Sequence, residues 1–503
     1  MHLNLVSDFL VHSASVYPDK IALYFDDATI TYRQLHRHAR NLAGYLAANG
    51  LKRGDRVIIY LQNSPETVVS IFGTLLAGGA FSVVNQTVKA AKFQFILHDC
   101  SPTFIITDNS KIDMLQELQS EVGRPQLLNV DGASGQSADF HEIIENDSEL
   151  PGTRIIDLEV AAIIYTSGTT GDPKGVALTH RNLVTSAKSI MTYLENGPSD
   201  IVLCVLPLSF GYGLCQVLVS VLSSGAVVLE RKFGYPYQLV KLIQDRRVTG
   251  FPGVPTMWAI LLQMEELTGD ALSSVRYITN AGAALPPAYV PRIKKMFPNA
   301  RFYAMYGLTE CIRVCYLPPD LIDKKPDSVG FPMPNTEVFV VDENGNFKDR
   351  GATGQLVIRG SHVMPGYWNN PEGTAKVLKP GRFPWEKVLY TGDMFRLDDD
   401  GFMYFVGRMD DIIKVRGERV SPKEIEHVLY QLEDVVETRA IPVPDEITGS
   451  AIRAEVVLRK DSKLTVDAIL HHCRQNLEDL MVPKYIAVVE SLPKSESGKI
   501  LKR

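Results

Sequence analysis

The sequence predicts an α/β protein: a large N-terminal domain of layered α/β subdomains followed by a small C-terminal α/β domain. Three observations carry this. Apolar runs bounded by turn residues recur along the chain, segments of helical period lie between them, and the texture changes near residue 409. A chain of 503 residues that is 45% hydrophobic and 22% charged can bury more than one core.

The runs read as strands of a covered sheet are RVIIYL (56–61), TFIITD (103–108), AAIIYT (161–166), AVVLE (226–230) and EVFVVD (337–342). Thr31 to Ala48 carries Leu35, Ala39, Leu42 and Leu46 on one helical face. THRNLVTSAKSIMTYL does the same with Leu183, Ala187, Ile190, Met191 and Leu194, with Thr179 as N-cap. The uncharged stretch 201–229 has the length of a membrane span, but Pro207, Gly211 and Gly213 interrupt it and Gln216 and Ser223-Ser224 follow, so strand, turn, core helix and strand account for it. At the C-terminal end, Ser421-Pro422-Lys423-Glu424 predicts a capping box with proline at the first helical position, and AIRAEVVLRK and LTVDAILHHCRQNLEDLM supply a further strand and helix. The expected division is residues 1–408, a hinge at 409–411, and residues 412–503.

Charge excludes some functions. Lys+Arg 52 against Asp+Glu 58 gives −6 without long runs of one sign, which argues against a nucleic-acid groove or a polybasic membrane patch and for small-molecule partners. The six cysteines, Cys100, Cys204, Cys215, Cys311, Cys315 and Cys473, show no C-x-x-C, so a reducing, cytoplasmic setting is expected. Cys311 and Cys315 would share a face if helical, and packed small residues explain them better than a metal pair. The N-terminal residues lack a basic region and carry Asp8, unlike a secretory signal. GYGLCQ fails as a dinucleotide loop, because Gln216 stands where the third glycine is required.

YTSGTTGDPKGV (165–176) gathers hydroxyls, glycines and one lysine as a phosphate-holding loop would, yet its spacing is not that of G-x-x-x-x-G-K-[ST]. Further along come PLSFGYG (207–213), NAGAALP (280–286), YGLTE (306–310), YTGD (390–393), GRMDDIIKVRGERVSPKEIE (407–426) and PKSESGK (493–499). Each alone reads equally well as a loop, a turn or a solvated hinge. In this order and at these spacings the series resembles the adenylate-forming enzymes: acyl- and aryl-CoA synthetases, peptide-synthetase adenylation domains and firefly luciferase. The resemblance spans essentially the whole chain.

That resemblance implies the following roles. Thr166, Ser167, Gly168, Thr169, Thr170, Gly171 and Lys174 hold the β- and γ-phosphates of ATP. Thr309 bonds the α-phosphate and Glu310 holds Mg²⁺. Asp393 and Arg408 take the ribose, and Gly282, Ala283 and Ala284 face Tyr306 across the adenine. Lys499 is the catalytic lysine between the attacking carboxylate and the α-phosphate. A lysine so near a chain end is ordinarily a frayed surface charge. For Lys499 to act, a mobile small domain must close over the large one, with Asp410 as hinge and Gly417 lining the tunnel for a thiol.

The acid itself is expected to be apolar, fatty or aryl. In relatives that select amino acids an Asp follows the aromatic residue of the PLSFGYG region, whereas here Gly211 follows Phe210. Phe210, Gly211, Gly213, Val254, Met305 and Gly307 are the expected pocket walls, each of which could equally be core. The expected activity is ATP-dependent formation of acyl-AMP with release of pyrophosphate, then transfer to coenzyme A. The alternatives are delivery to the phosphopantetheine of a separate carrier protein, and a catalytically inactive nucleotide-binding partner protein.

Overall fold

Alternate residues of the strand Arg56–Tyr60 face different cores: Val57 and Ile59 join one apolar cluster, Ile58 and Tyr60 another. Side chains of a strand alternate between faces, so an unbroken apolar run is what a sheet covered on both sides requires. The computed structural model describes residues 3–501 except 120–123, 151, 168–172, 265–268, 343, 410, 412, 416–417, 446–448, 480 and 495–499. The strand Ile201–Cys204 divides in the same way, with Val202 and Cys204 in the central cluster and Leu203 in an outer one.

Two large sheets thus share a middle layer of helices, Tyr32–Ala48, Pro65–Leu76, His180–Leu194 and Gly211–Leu222, and carry other helices outside. One sheet runs Gly366–Tyr367, Pro173–Thr179, Val160–Ser167, Ala80–Val83, Arg56–Tyr60, Phe104–Thr107, Gln126–Asn129, Ala138–Asp139. The other places Tyr277–Asn280 between Gly250–Gly253 and Arg301–Tyr306, all three parallel. A third, antiparallel sheet is built on Thr336–Val341, Ala352–Gly360 and Lys387–Leu397, with Met403–Arg408 paired to the last. The remaining residues form their own core, including Ile413, Ile425, Leu429, Ala454, Val456 and Ile469, around a sheet of Val435–Asp445, Gly449–Leu458 and Tyr485–Val488. The fold is the expected one: a large α/β N-terminal domain with a small C-terminal domain.

Helix starts follow the sequence closely. Thr31 Oγ1 accepts from the Gln34 backbone N–H while Gln34 Oε1 accepts from that of Thr31, and Thr179 and Asn182 make the same reciprocal pair. The uncharged stretch resolves into strand Ile201–Cys204, helix Gly211–Leu222 and strand Ala226–Leu229. No helix among the described residues is long and apolar enough to cross a membrane.

One local expectation fails. Ser421 does precede helix Pro422–Tyr430, but its hydroxyl donates to the Val406 carbonyl at 2.6 Å and caps nothing. A bond joining the small domain to the last strand of the large one has replaced the cap. Cys311 and Cys315 share no helix, since Cys311 lies in a turn and Cys315 in a short strand, and both are buried as packed small residues.

Candidate active site

The segment that first suggested phosphate is flanked by two paired strands rather than by the strand and helix of a Walker site. Val160–Ser167 pairs antiparallel with Pro173–Thr179, with Thr166 opposite Lys174 and Ser167 opposite Pro173. Lys174 therefore stands near the start of the second strand. Gly168, Thr169, Thr170 and Gly171 lie outside the described residues, as do Asp410, Gly417 and Lys499.

Lys174 meets a residue that sequence reasoning passed over. Its Nζ lies 5.6 Å from the centre of the Tyr367 ring. Tyr367 is held there because Gly366–Tyr367 adds an edge strand to the hairpin, with Tyr367 opposite Val176. Its hydroxyl donates to Glu310 Oε1 at 2.7 Å, and burial, followed by the Glu310 charge, pushes that phenol's pKa well up, so it remains a donor. Tyr367 thus ties the loop following strand Arg301–Tyr306 to the hairpin. GYWNNP, an aromatic pair after glycine and before an Asn-Pro turn, was the available signal.

Glu310 Oε2 takes no hydrogen bond among the described residues, and the Glu310 backbone carbonyl is fixed by Met364 N–H at 2.8 Å. A half-buried carboxylate with one oxygen unbonded among the described residues is chemically suited to a hard divalent cation with phosphate oxygens. Thr309 precedes it in the same turn.

Asp393 and Arg408 meet as register partners of two antiparallel strands. YTGD lies inside strand Lys387–Leu397 rather than in a turn after a strand, and Gly392, at φ +74°, lets the chain depart from regular extension. Thr391 Oγ1 accepts from the Asp393 N–H at 3.1 Å and donates to the Leu356 carbonyl at 3.0 Å, which fixes the turn of the carboxylate. Asp393, 6% exposed, accepts from the Tyr306 hydroxyl at 2.5 Å and from Arg408 Nε at 3.1 Å. The Arg408 side chain is 56% exposed, so its end stays available to a ligand. The Tyr306 ring rests edge-on against Phe395 at 4.8 Å and nearly parallel to Phe405 at 6.3 Å.

Gly282, Ala283 and Ala284 form an exposed turn after strand Tyr277–Asn280, with Gly282 at φ +87°. Asn280, also unremarked in the sequence, shapes that turn: its Nδ2 donates to the Ala283 carbonyl at 3.2 Å and its Oδ1 accepts from Trp258 Nε1 at 3.0 Å. Ala283 and Ala284 line a crevice whose other wall is Lys423, Glu426, His427 and Tyr430 of the small domain.

The expected acyl-pocket residues fall on several elements. Phe210 caps helix Gly211–Leu222, and Val254 caps helix Pro255–Leu261. Gly213 is dictated by packing, because a Cβ there would lie 2.3 Å from the Pro207 carbonyl oxygen. Gly307 abuts the backbone of Ile312 and Arg313, Gly211 abuts the Ile312 side chain, and Met305 is buried with its sulfur accepting from the Tyr193 hydroxyl at 3.1 Å.

The chain belongs to the AMP-binding enzyme family, whose model matches residues 10–368, and the model of that family's C-terminal domain matches residues 424–499. A long-chain-fatty-acid–CoA ligase of Bacillus subtilis (strain 168) is 32% identical over 99% of this chain and 93% of its own length. The 4-coumarate–CoA ligase 2 of Solanum tuberosum is 31% identical over 95% of this chain and 88% of its own. Among solved structures, ATP-bound MatB from Rhodopseudomonas palustris superposes with a TM-score of 0.90 at 28% identity, covering 99% of this chain and 97% of that one. The family is therefore that of adenylate-forming acyl- and aryl-CoA ligases.

Proposed function

We propose that this chain is an AMP-forming acid–CoA ligase acting on a carboxylic acid with an aliphatic or aryl body. A carboxylate oxygen attacks the α-phosphorus of ATP, the bond to the β-phosphate breaks and pyrophosphate leaves. The sulfur of coenzyme A then attacks the acyl carbon, AMP leaves, and the thiol proton passes to solvent.

The observation that carries this reading is the Tyr306–Asp393–Arg408 array, a buried carboxylate that accepts from donors at 2.5 and 3.1 Å, with the exposed 282–284 turn following the strand paired to the one that ends in Tyr306. A carboxylate accepts from both hydroxyls of a ribose diol, and a small-residue turn opposite an aromatic ring suits a purine. Thr166, Ser167, Gly168, Thr169, Thr170, Gly171 and Lys174 receive the departing phosphates, and Thr309 bonds the α-phosphate. Mg²⁺ at Glu310, when bound, offsets phosphate charge. Lys499 places an ammonium where charge grows on the α-phosphate, and the small domain then turns about Asp410 to bring Gly417 to the thiol path. ATP, coenzyme A and six free cysteines all suit a cytoplasmic setting.

Acid-dependent exchange of labelled pyrophosphate into ATP tests the first half-reaction. Exchange with at least one acid is expected, and ATP binding without exchange across a broad acid panel would refute the reading.

A further inference from the structure

Arg313 is 2% exposed, its Nε has no hydrogen-bond partner, and no carboxylate pairs with it among the described residues. Among the described residues, the Tyr212 ring faces it, its centre 5.0 Å from the guanidinium carbon. A buried cation left in this state is disfavoured unless an anion pairs with it.

Among the described residues, the surroundings supply no such anion. Tyr193, Tyr212, Cys215, Cys311 and Cys315 all lie within reach of the Arg313 charge. Burial pushes the Tyr212 hydroxyl and the Cys215 and Cys315 thiols each up to about 12, and the other two upward as well, so all are neutral at neutral pH.

Position gives the unpaired charge a meaning. The Arg313 backbone lies against Gly307, and Ile312 against Gly211, so the residue stands among the expected walls of the acid pocket. Ile312 adopts φ +64°, a left-handed conformation that a β-branched residue rarely takes, and the Arg313 N–H closes back on the Cys311 carbonyl at 2.7 Å. Strain of this kind persists where the surroundings enforce a particular placement.

We propose that Arg313 receives a second carboxylate of the acid, so that the substrates are dicarboxylic acids: one carboxylate is activated at the α-phosphate while the other pairs with the guanidinium. This inference rests on the adenylation reading above and departs from the wholly apolar acid expected from the sequence, giving the substrate a second, charged end. A guanidinium presents paired N–H donors that match a carboxylate's two oxygens. The absence of an acidic residue after Phe210 disfavours an ammonium-bearing acid, and Arg313 repels one further.

The test is acid-dependent pyrophosphate exchange with monocarboxylic and dicarboxylic acids of matched carbon number, using the full chain, Arg313→Met and Arg313→Lys. The wild type is expected to favour its best diacid over the matched monoacid by about 10²-fold or more in kcat/KM, as sites with a buried polar group reject analogues lacking its partner. Arg313→Met should reverse that ratio, Arg313→Lys should keep part of it, and KM for ATP should move in neither. A purely structural arginine would alter stability but leave the ratio alone. Equal or better exchange with monoacids in the wild type, or an unchanged ratio in Arg313→Met, overturns the proposal while adenylation stands. If neither variant folds, the wild-type ratio decides. Exchange with no acid of either class would remove the adenylation reading and this inference together.

Discussion

Replacing Asp393 by Ala removes the carboxylate assigned to the ribose, and the expected loss follows from its contacts. A hydrogen bond to a charged group is worth ~1.5–3 kcal/mol, so losing two ribose hydroxyls costs ~3–6 kcal/mol, about 10²- to 10⁴-fold in kcat/KM for ATP. The substitution also leaves the Tyr306 hydroxyl without the acceptor it holds at 2.5 Å. Tyr306→Phe is therefore made alone and together with Asp393→Ala, and thermal stability is recorded for all three. Arg408 loses a partner as well, but its exposed side chain can be solvated. The assay is pyrophosphate exchange with ATP, 2′-deoxy-ATP and 3′-deoxy-ATP. The wild type should discriminate against both deoxy-nucleotides, and Asp393→Ala should lose most of that discrimination while KM for the acid stays unchanged. If the variant discriminates as strongly as the wild type, Asp393 does not read the ribose.

Other substitutions test separate parts of the account. Lys499→Ala should fold normally yet lose exchange by about 10²- to 10³-fold, the order seen when a single transition-state donor is removed; undiminished exchange takes Lys499 out of the mechanism. Asn280→Ala frees the Trp258 Nε1 donor and the Ala283 anchor, so it should cost ~1–3 kcal/mol in denaturant unfolding and raise KM for ATP. Burial lowers the pKa of His180 and of His362 to about 4. Each is neutral in the folded state and takes up a proton on unfolding below about 6.5, so stability is full above that pH and falls as pH drops towards 4, by up to ~3 kcal/mol per histidine. Neither ring nitrogen of His362 has a hydrogen-bond partner among the described residues. His362→Leu should accordingly flatten the acid limb of the melting-temperature profile, and an unchanged limb would show that His362 does not titrate on unfolding.

The strands and the two long helices were legible because local chemistry and tertiary environment agreed: covered sheets demand apolar runs, each helix shows one apolar face, and Thr179 marks a helix start. The site was legible only as motifs. That Asp393 and Arg408 are strand partners, and that Tyr367 links Lys174 to Glu310, depends on sheet register between segments far apart in sequence. Ser421 shows the opposite case, in which a correct helix start conceals a different use of the side chain, because a carbonyl of the neighbouring domain competed for it. Arg313 was hidden for a related reason. In CIRVCY it reads as one charge in an apolar stretch, and only the fold shows that no acidic side chain among the described residues pairs with it.

Product analysis tests the central claim most directly. The protein is incubated with ATP, Mg²⁺, coenzyme A and a mixed pool of monocarboxylic and dicarboxylic acids, and nucleotides, adenylates and thioesters are resolved by mass spectrometry. The account predicts an acyl-adenylate when coenzyme A is omitted, and AMP and acyl-CoA in equal amounts when it is present. Formation of ADP, or AMP without any acyl-adenylate or thioester, would contradict it.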